Sequence, residues 1–232
     1  MFFKRNVLFR FTLTERIAPF KPYAELMPGL PGRRAQAARN DTKILEAARE
    51  VFIADPKAPI AAVAERAGVG ISALYRRWPG KEDLLRQLCH DGLRRYNEEA
   101  SAALADRDDP AALRTFLTSV VDADLHSLTV HLAGLFTPTP EMRTDAERSR
   151  KLAATLVQRA RQAGWLRPDV VVADLSLILD ACAAVRLPDN PDRTRTLRRR
   201  LLVILLDGLS GTTRLPGPPP DAAEASWRWR RT

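Results

Sequence analysis

The chain has 232 residues, with 37 lysines and arginines against 28 aspartates and glutamates and a formal net charge of +9. That length buries a sizeable core and suits one small module plus one helical domain, and the basic balance favours phosphate contacts without establishing them. Two cysteines far apart in sequence, three histidines without ligand spacing and no apolar run near the roughly 18 residues of a membrane span argue against a metal site or a membrane protein, and predict buried free thiols in a reducing cytoplasm.

Residues 1–32 are rich in Phe and Arg, then in Pro and Gly, and carry no helical pattern. Charges interrupt the apolar residues of MFFKRNVLFRFTLTER, so it lacks a signal-peptide core. The segment reads as a disordered or mis-annotated extension, with translation starting at Met27 rather than Met1. An intact mass of the natural protein that includes Met1 to Leu26 overturns that expectation. The alternative is an arm that adds DNA or membrane contacts.

The first predicted helix runs from about Asp41 to Ala54. Ile44, Leu45, Ala47, Ala48, Val51 and Phe52 form its apolar stripe, and Asp41 or Thr42 is the candidate cap. Pro56 and Pro59 mark the connection, and Pro59 suits the first turn of the next helix.

Residues 60–85, IAAVAERAGVGISALYRRWPGKEDLL, read as two short helices joined by a tight turn, then the start of a long helix. Val63, Ala64 and Ala67 give the first short helix a close-packing face. Gly68 follows where a helix end wants a residue tolerant of the left-handed conformation. Val69 plugs the gap, and Gly70-Ile71-Ser72 opens the second helix with Ile71 and Leu74 pointing in. Ser72, Ala73, Tyr75, Arg76 and Arg77 distribute around its exposed sides. Pro79 pushes Trp78 out of the helical region. Gly80-Lys81-Glu82-Asp83 opens the long helix, to about Ala105, with acids in its first turn as the macrodipole prefers. Leu84, Leu85, Leu88, Cys89, Leu93 and Tyr96 lie on its buried side. The arrangement is a helix-turn-helix, a DNA-reading device.

Further helices are predicted over about 110–125, 126–136, 144–163, 171–185 and 192–209, separated by Gly164 to Asp169 and by Pro188-Asp189-Asn190-Pro191. No strand alternation is visible, so the fold is all-α. The divisions are a helix-turn-helix domain at 33–90, a helical ligand-binding and dimerisation domain at 91–213, and a Pro-rich, then Trp-Arg-rich, disordered tail at 214–232. No nucleophile stands beside a base, and there is no glycine-rich phosphate loop or metal-ligand spacing, so neither an enzyme nor a cofactor is expected.

Ala64-Glu65-Arg66-Ala67-Gly68-Val69-Gly70, Leu74-Tyr75-Arg76-Arg77-Trp78-Pro79 and Lys81-Glu82-Asp83-Leu84-Leu85 resemble the DNA-binding domain of tetracycline-repressor (TetR) family regulators. Lys43 to Phe52 fits as the preceding helix, so the motif covers roughly residues 39–90. Two positions depart from the family pattern. Pro59 stands where a threonine often begins the second helix, and Gly70 stands where a serine or threonine often caps the third.

The resemblance implies a homodimeric, ligand-responsive repressor that binds a palindromic double-stranded DNA operator and is released by a small-molecule effector. It assigns Tyr75 and Lys81 to the DNA backbone. The candidate DNA-contacting set is Arg39, Thr42, Gly70, Ile71, Ser72, Ala73, Tyr75, Arg76, Arg77 and Lys81. Arg33, Arg34 and Arg39 either reach backbone or minor groove or form a solvated basic lead-in. Phe116, His126, His131, Phe136 and Trp165 are candidates to line a ligand cavity, each with an alternative reading as core. Leu175, Ile178, Leu179, Cys182, Leu201 and Leu205 are candidates for a four-helix dimer interface. Two recognition helices about 34 Å apart would then read one helical turn of DNA. The competing reading is a helical sensor or scaffold whose DNA module has weakened, in keeping with Pro59 and Gly70.

Overall fold

The structure, a computed structural model, describes residues 33–105, 109–221 and 224, with side chains from Ala38 onward. The expectations for residues 1–32 and for the end of the tail, 225–232, lie outside the described residues. Among the described residues the regular structure is entirely helical: α1 (Arg33–Ala54), α2 (Ile60–Ala67), α3 (Ile71–Arg77), α4 (Lys81–Ala103), α5 (Ala112–Asp122), α6 (Leu125–Leu132), α7 (Pro140–Gln162), α8 (Val172–Ala184) and α9 (Pro191–Gly208).

Helices α1, α7 and α9 begin earlier than expected, for local reasons. Ahead of Asp41 lies Arg33-Arg34-Ala35-Gln36-Ala37-Ala38-Arg39, a run of good helix formers, and α1 extends through it. Asp41 and Thr42 are therefore interior residues and not caps: the Thr42 hydroxyl donates back to the Ala38 carbonyl at 3.1 Å. Pro140 and Pro191 sit at first helical positions, where a missing N–H costs nothing. The Thr139 hydroxyl accepts from the Met142 N–H at 3.3 Å and the Asn190 side chain from the Arg193 N–H at 2.9 Å, which caps both helices.

The turn between α2 and α3 forms as its residues require. Gly68 adopts φ 65°, ψ 35°, and its N–H and that of Val69 close on the carbonyls of Glu65 and Ala64 at 3.1 and 3.0 Å. Trp78 is extended before Pro79, at φ −126°, ψ 106°, and its indole is buried. One expectation fails here. Ile71 is 38% exposed, and Leu74 alone of α3 is buried. A two-turn helix presents one position squarely to the core, and Trp78 supplies the second anchor from just beyond its end.

Two apolar cores share the molecule. The first joins Ile44, Phe52, Val63, Leu74, Trp78, Leu84 and Leu85, and is closed by Leu128 and Leu132 of α6 with Phe136 and Met142. The second gathers Leu113, Phe116, Leu117, Val120, Leu156, Leu202 and Leu206 from α5, α7 and α9. Helix α4 runs from one to the other: Leu84 to Cys89 lie in the first, Tyr96 and Ala100 at the second. Where α4 crosses α6, a Cβ on Gly92 would stand 2.9 Å from the Leu128 Cδ1, so glycine permits the close approach. Beyond α9, the Leu215 N–H donates to the Asp169 carboxylate at 3.0 Å, which ties the start of the tail to the α7–α8 connection.

Candidate nucleic-acid interface

Helix α3 is short, anchored from below and open above. Tyr75 is 47% exposed, Ser72 and Arg76 are exposed, and Ala73 is half-buried, so small side chains flank a phenol and a guanidinium. Arg76 makes no ion pair among the described residues. Arg77 lies across the Trp78 ring, 5.9 Å from its centroid, and its Nε meets the Asp41 Oδ2 at 3.0 Å. Gly70 precedes the helix in an extended conformation and brings no side-chain cap, so the first N–H groups of α3 lack one.

Lys81 is held differently from a solvated surface charge. Its Nζ donates to the carbonyls of Pro56 and Ala58 at 2.8 and 2.6 Å and stands 4.9 Å from the Phe52 ring centroid. Burial lowers its pKa, with the Asp55 charge opposing. Two of its three N–H donors thus fasten the α1–α2 connection to the first turn of α4. Arg39 is exposed on α1, and Thr42 is half-buried. Of the ten residues expected at DNA, the structure gathers Gly70, Ile71, Ser72, Ala73, Tyr75, Arg76 and Arg77 on one element, with Arg77 linking it to α1. The Lys81 ammonium points to the connection behind.

The five residues expected to line a ligand cavity lie apart. Phe116 is buried in the second core, edge-on to Tyr96 at 4.9 Å between centroids. Phe136 is buried in the first. His131 is half-buried, its Nδ1 2.8 Å from the Ser127 carbonyl one turn back. Trp165 packs beside the second core with the Arg114 guanidinium 5.2 Å above its ring. His126 is buried near Asp124, Nδ1 to Oδ1 3.9 Å, and neither ring nitrogen has a hydrogen-bond partner among the described residues. Burial pushes its pKa down to about 4; the Asp124 charge opposes this and that of Arg198 adds to it. A polar cleft of about 460 Å³ between α4 and α7, lined by Arg94, Asn97, Glu98, Glu141, Asp145 and Arg148, contains none of the five.

Of the expected interface residues, four are buried within the single chain and two are half-buried. Leu175, Ile178, Leu179 and Cys182 are buried within the chain, and Leu201 and Leu205 pack against the same core. The apolar side chains that α8 and α9 leave uncovered are Leu177 (55% exposed), Val203 (51%) and Ile204 (58%). Helix α8 is apolar on both sides, and the outer side of α9 mixes Val203 and Ile204 with exposed Arg200 and Asp207. Both cysteines are free and buried, as expected, and burial raises Cys89 to about 12 and Cys182 to about 11.

An all-helical chain with an exposed, cation-bearing second helix in a helix-turn-helix, joined through one long helix to a helical bundle, defines a class of DNA-binding regulators. Comparison with known proteins agrees. A family model described as bacterial regulatory proteins of the tetR family matches residues 44–88, and one described as the C-terminal domain of SbtR-like transcriptional regulators matches residues 109–211. The chain belongs to the TetR family of transcriptional regulators, a family of regulators rather than enzymes. It is 34% identical over 113 residues to the HTH-type transcriptional repressor LfrR of Mycolicibacterium smegmatis, a match covering 45% of this chain and 57% of that protein. The TetR transcription regulatory protein from Mycobacterium vanbaalenii is 28% identical with a TM-score of 0.51, covering 77% of this chain and 99% of that one. The fold is shared with LfrR in complex with proflavine, at 24% identity and a TM-score of 0.54, over 79% of this chain and 100% of that one. No helix among the described residues is long and apolar enough to cross a membrane.

Proposed function

We propose that this regulator is a repressor, that it binds a palindromic operator as a homodimer, and that a small molecule releases it. The observation that carries the reading is the outer face of α3, where Ser72, Tyr75 and Arg76 stand clear of the protein. Tyr75 and Arg76 would hold phosphate oxygens and fix register, while Ser72 and Ala73 are small enough for close approach to base edges. The uncovered aliphatic side chains of α8 and α9 are the surface for the second copy. An effector would act by binding the conformation unfit for DNA more tightly, so that it and the operator oppose each other reciprocally. The likeness to the repressor LfrR supports the sign of regulation, and proflavine, bound in that protein's structure, is the first probe of release.

A second reading, a sensor with a weakened DNA module, draws on the inward turn of Lys81 and the missing cap at Gly70. One titration separates the two. Fluorescence anisotropy on DNA from upstream of the protein's own gene is expected to show selective binding over scrambled DNA. That binding should fall steeply with salt, because phosphate contacts release counterions, and drop by roughly two orders of magnitude in a Tyr75→Ala, Arg76→Ala variant. Equal weak binding of the unaltered protein to both DNAs sinks the repressor reading in favour of the second.

A further inference from the structure

Asp124, between α5 and α6, adopts φ 52°, ψ 34°, the one positive φ outside glycine among the described residues. Side-chain-bearing residues keep such a conformation where their surroundings over-determine it. Here three side chains do so. The Ser127 hydroxyl donates to the Asp124 carboxylate from within α6. Arg49 of α1 reaches both the carboxylate, Nη2 to Oδ2 at 2.8 Å, and the Asp124 carbonyl. Arg198 of α9 donates to Oδ1. The Arg198 side chain is only 7% exposed, and its remaining donors go to the Val185 carbonyl at 2.9 Å and, more weakly, the Ala183 carbonyl at 3.4 Å, at the end of α8.

A second link runs beside the first. Arg186, between α8 and α9, donates through Nη1 to the Ile53 carbonyl at 2.5 Å. Arg49 and Ile53 are one helical turn apart on α1. The last two turns of α1 are therefore gripped from the α8–α9 end at successive turns, once through Asp124 and once directly. Two turns further back, the interior of α1 carries Asp41, which holds Arg77 of α3. Toward α6 the junction is apolar, with Leu128, Leu132, Phe136 and Met142 closing the first core, and its other polar contacts, Glu82 and Arg86 with the Thr137 backbone and His90 with Asp145, reach α7 and the segment before it rather than α8 or α9. Apolar burial is non-directional and tolerates sliding, whereas charge-assisted hydrogen bonds fix distance and angle.

We propose that Asp124 is a positioning residue for DNA binding: with Arg49 and Arg198 it sets the orientation of the helix-turn-helix against α8 and α9, the helices proposed to hold the dimer. This rests on the function proposed above. It adds that the geometry of the dimer helices reaches α1 through two polar links at one end of the molecule. Neither link passes through the apolar interior of the C-terminal helices.

The test is an electron-spin distance between nitroxides at Ser72→Cys on α3 and Thr196→Cys on the exposed side of α9. The labelled full-length chain is diluted into unlabelled protein so that pairs within one chain alone are read. The unaltered chain is expected to give one narrow distribution. Arg49→Gln cuts the α1 arm while leaving Asp124 paired with Arg198, and should broaden and shift that distribution; Arg49→Lys should restore most of it. Asp124→Asn should act as Arg49→Gln does, and if it fails to fold the Arg49 variants still decide. An unchanged distribution in folded Arg49→Gln overturns the proposal, and so does a lowered melting temperature with the distribution unchanged, because that is the signature of a merely structural contact. The measurement needs neither DNA nor a dimer. A protein that binds no operator would sink the repressor reading while leaving this result to stand or fall alone.

Discussion

The outer face of α3 and the outer face of α8 and α9 are both left uncovered by the chain, and they are opposites in chemistry. The first presents Ser72, Tyr75 and Arg76; the second presents Leu177, Val203 and Ile204. The first suits a polyanion and should weaken as salt rises, while the second suits another apolar surface and should hold or strengthen. The longest basic run at either place lies on the wrong helix for DNA: α9 carries Arg198-Arg199-Arg200, yet Arg198 is spent on Asp124 and Arg199 is paired through Nε and Nη2 with Asp122, Nη2 to Oδ2 at 2.6 Å. What marks a nucleic-acid face is unpaired cationic charge on the exposed helix of a helix-turn-helix, which Arg76 of α3 supplies with a shorter run, whereas Arg200 of α9, exposed and without an ion pair among the described residues, lies outside that device.

The largest effect should come from reversing the apolar face. Val203→Glu with Ile204→Glu places ionised carboxylates where the proposed partner packs, at a cost of several kcal/mol. Sedimentation is expected to show monomers at concentrations where the unaltered chain is dimeric, with helicity retained. A dimer that survives the double change moves the interface elsewhere. Leu175→Ala makes the contrast: this buried residue should lose roughly 2–5 kcal/mol of folding stability, without a direct effect on association.

Between the two faces lies the junction, where burial decides protonation. His126 is pushed down to about 4 from an ordinary 6.5, chiefly by desolvation. A base with a depressed folded pKa binds fewer protons folded than unfolded, so its contribution is complete above pH 6.5 and is lost as pH falls towards 4. Urea melts are expected to lose on the order of 2–3 kcal/mol over that window, and His126→Leu should flatten the loss. Burial works against ionised Asp124, but Arg49, Ser127, Arg198 and His126 together hold its pKa below the usual value. Its share is therefore lost only at lower pH, as the medium falls through that depressed pKa. An equal slope in both proteins between pH 6.5 and 4 would assign the loss to other groups.

Much of this architecture was legible in the sequence because its signals are local. Gly68 requires a left-handed turn, Pro79 stops α3, and helical periodicity marks the stripes of α1 and α4. The start of α7 at Pro140 is hidden because proline signals both a break and a first turn, and the cap just ahead decides which. Long-range pairings were invisible. Nothing near Asp124 announces Arg49 or Arg198, which lie 75 and 74 residues away in sequence. The inner and outer faces of α8 were hidden for a related reason: a helix apolar on both sides has no periodicity to say which side the chain covers itself. The scattered placement of Phe116, Phe136 and Trp165 shows that aromatic residues in a helical domain are first of all core.

The smallest effect expected is the most informative about α3. The Arg77–Asp41 pair is largely exposed and contributes less than about 1 kcal/mol to stability, so Asp41→Asn should leave the melting curve nearly unchanged. Its effect on DNA should be larger in kind. Asp41 both holds Arg77 and sets a negative charge beside the polyanion face, so its removal frees a guanidinium for phosphate. Affinity for scrambled DNA should rise, the slope of log affinity against log salt should steepen by about one, and preference for the operator should narrow. Arg77→Ala in the Asp41→Asn background should return the slope to its starting value. If Asp41→Asn leaves the slope where it was, Arg77 does not reach phosphate, and Arg76 is the cation of α3 that the DNA meets.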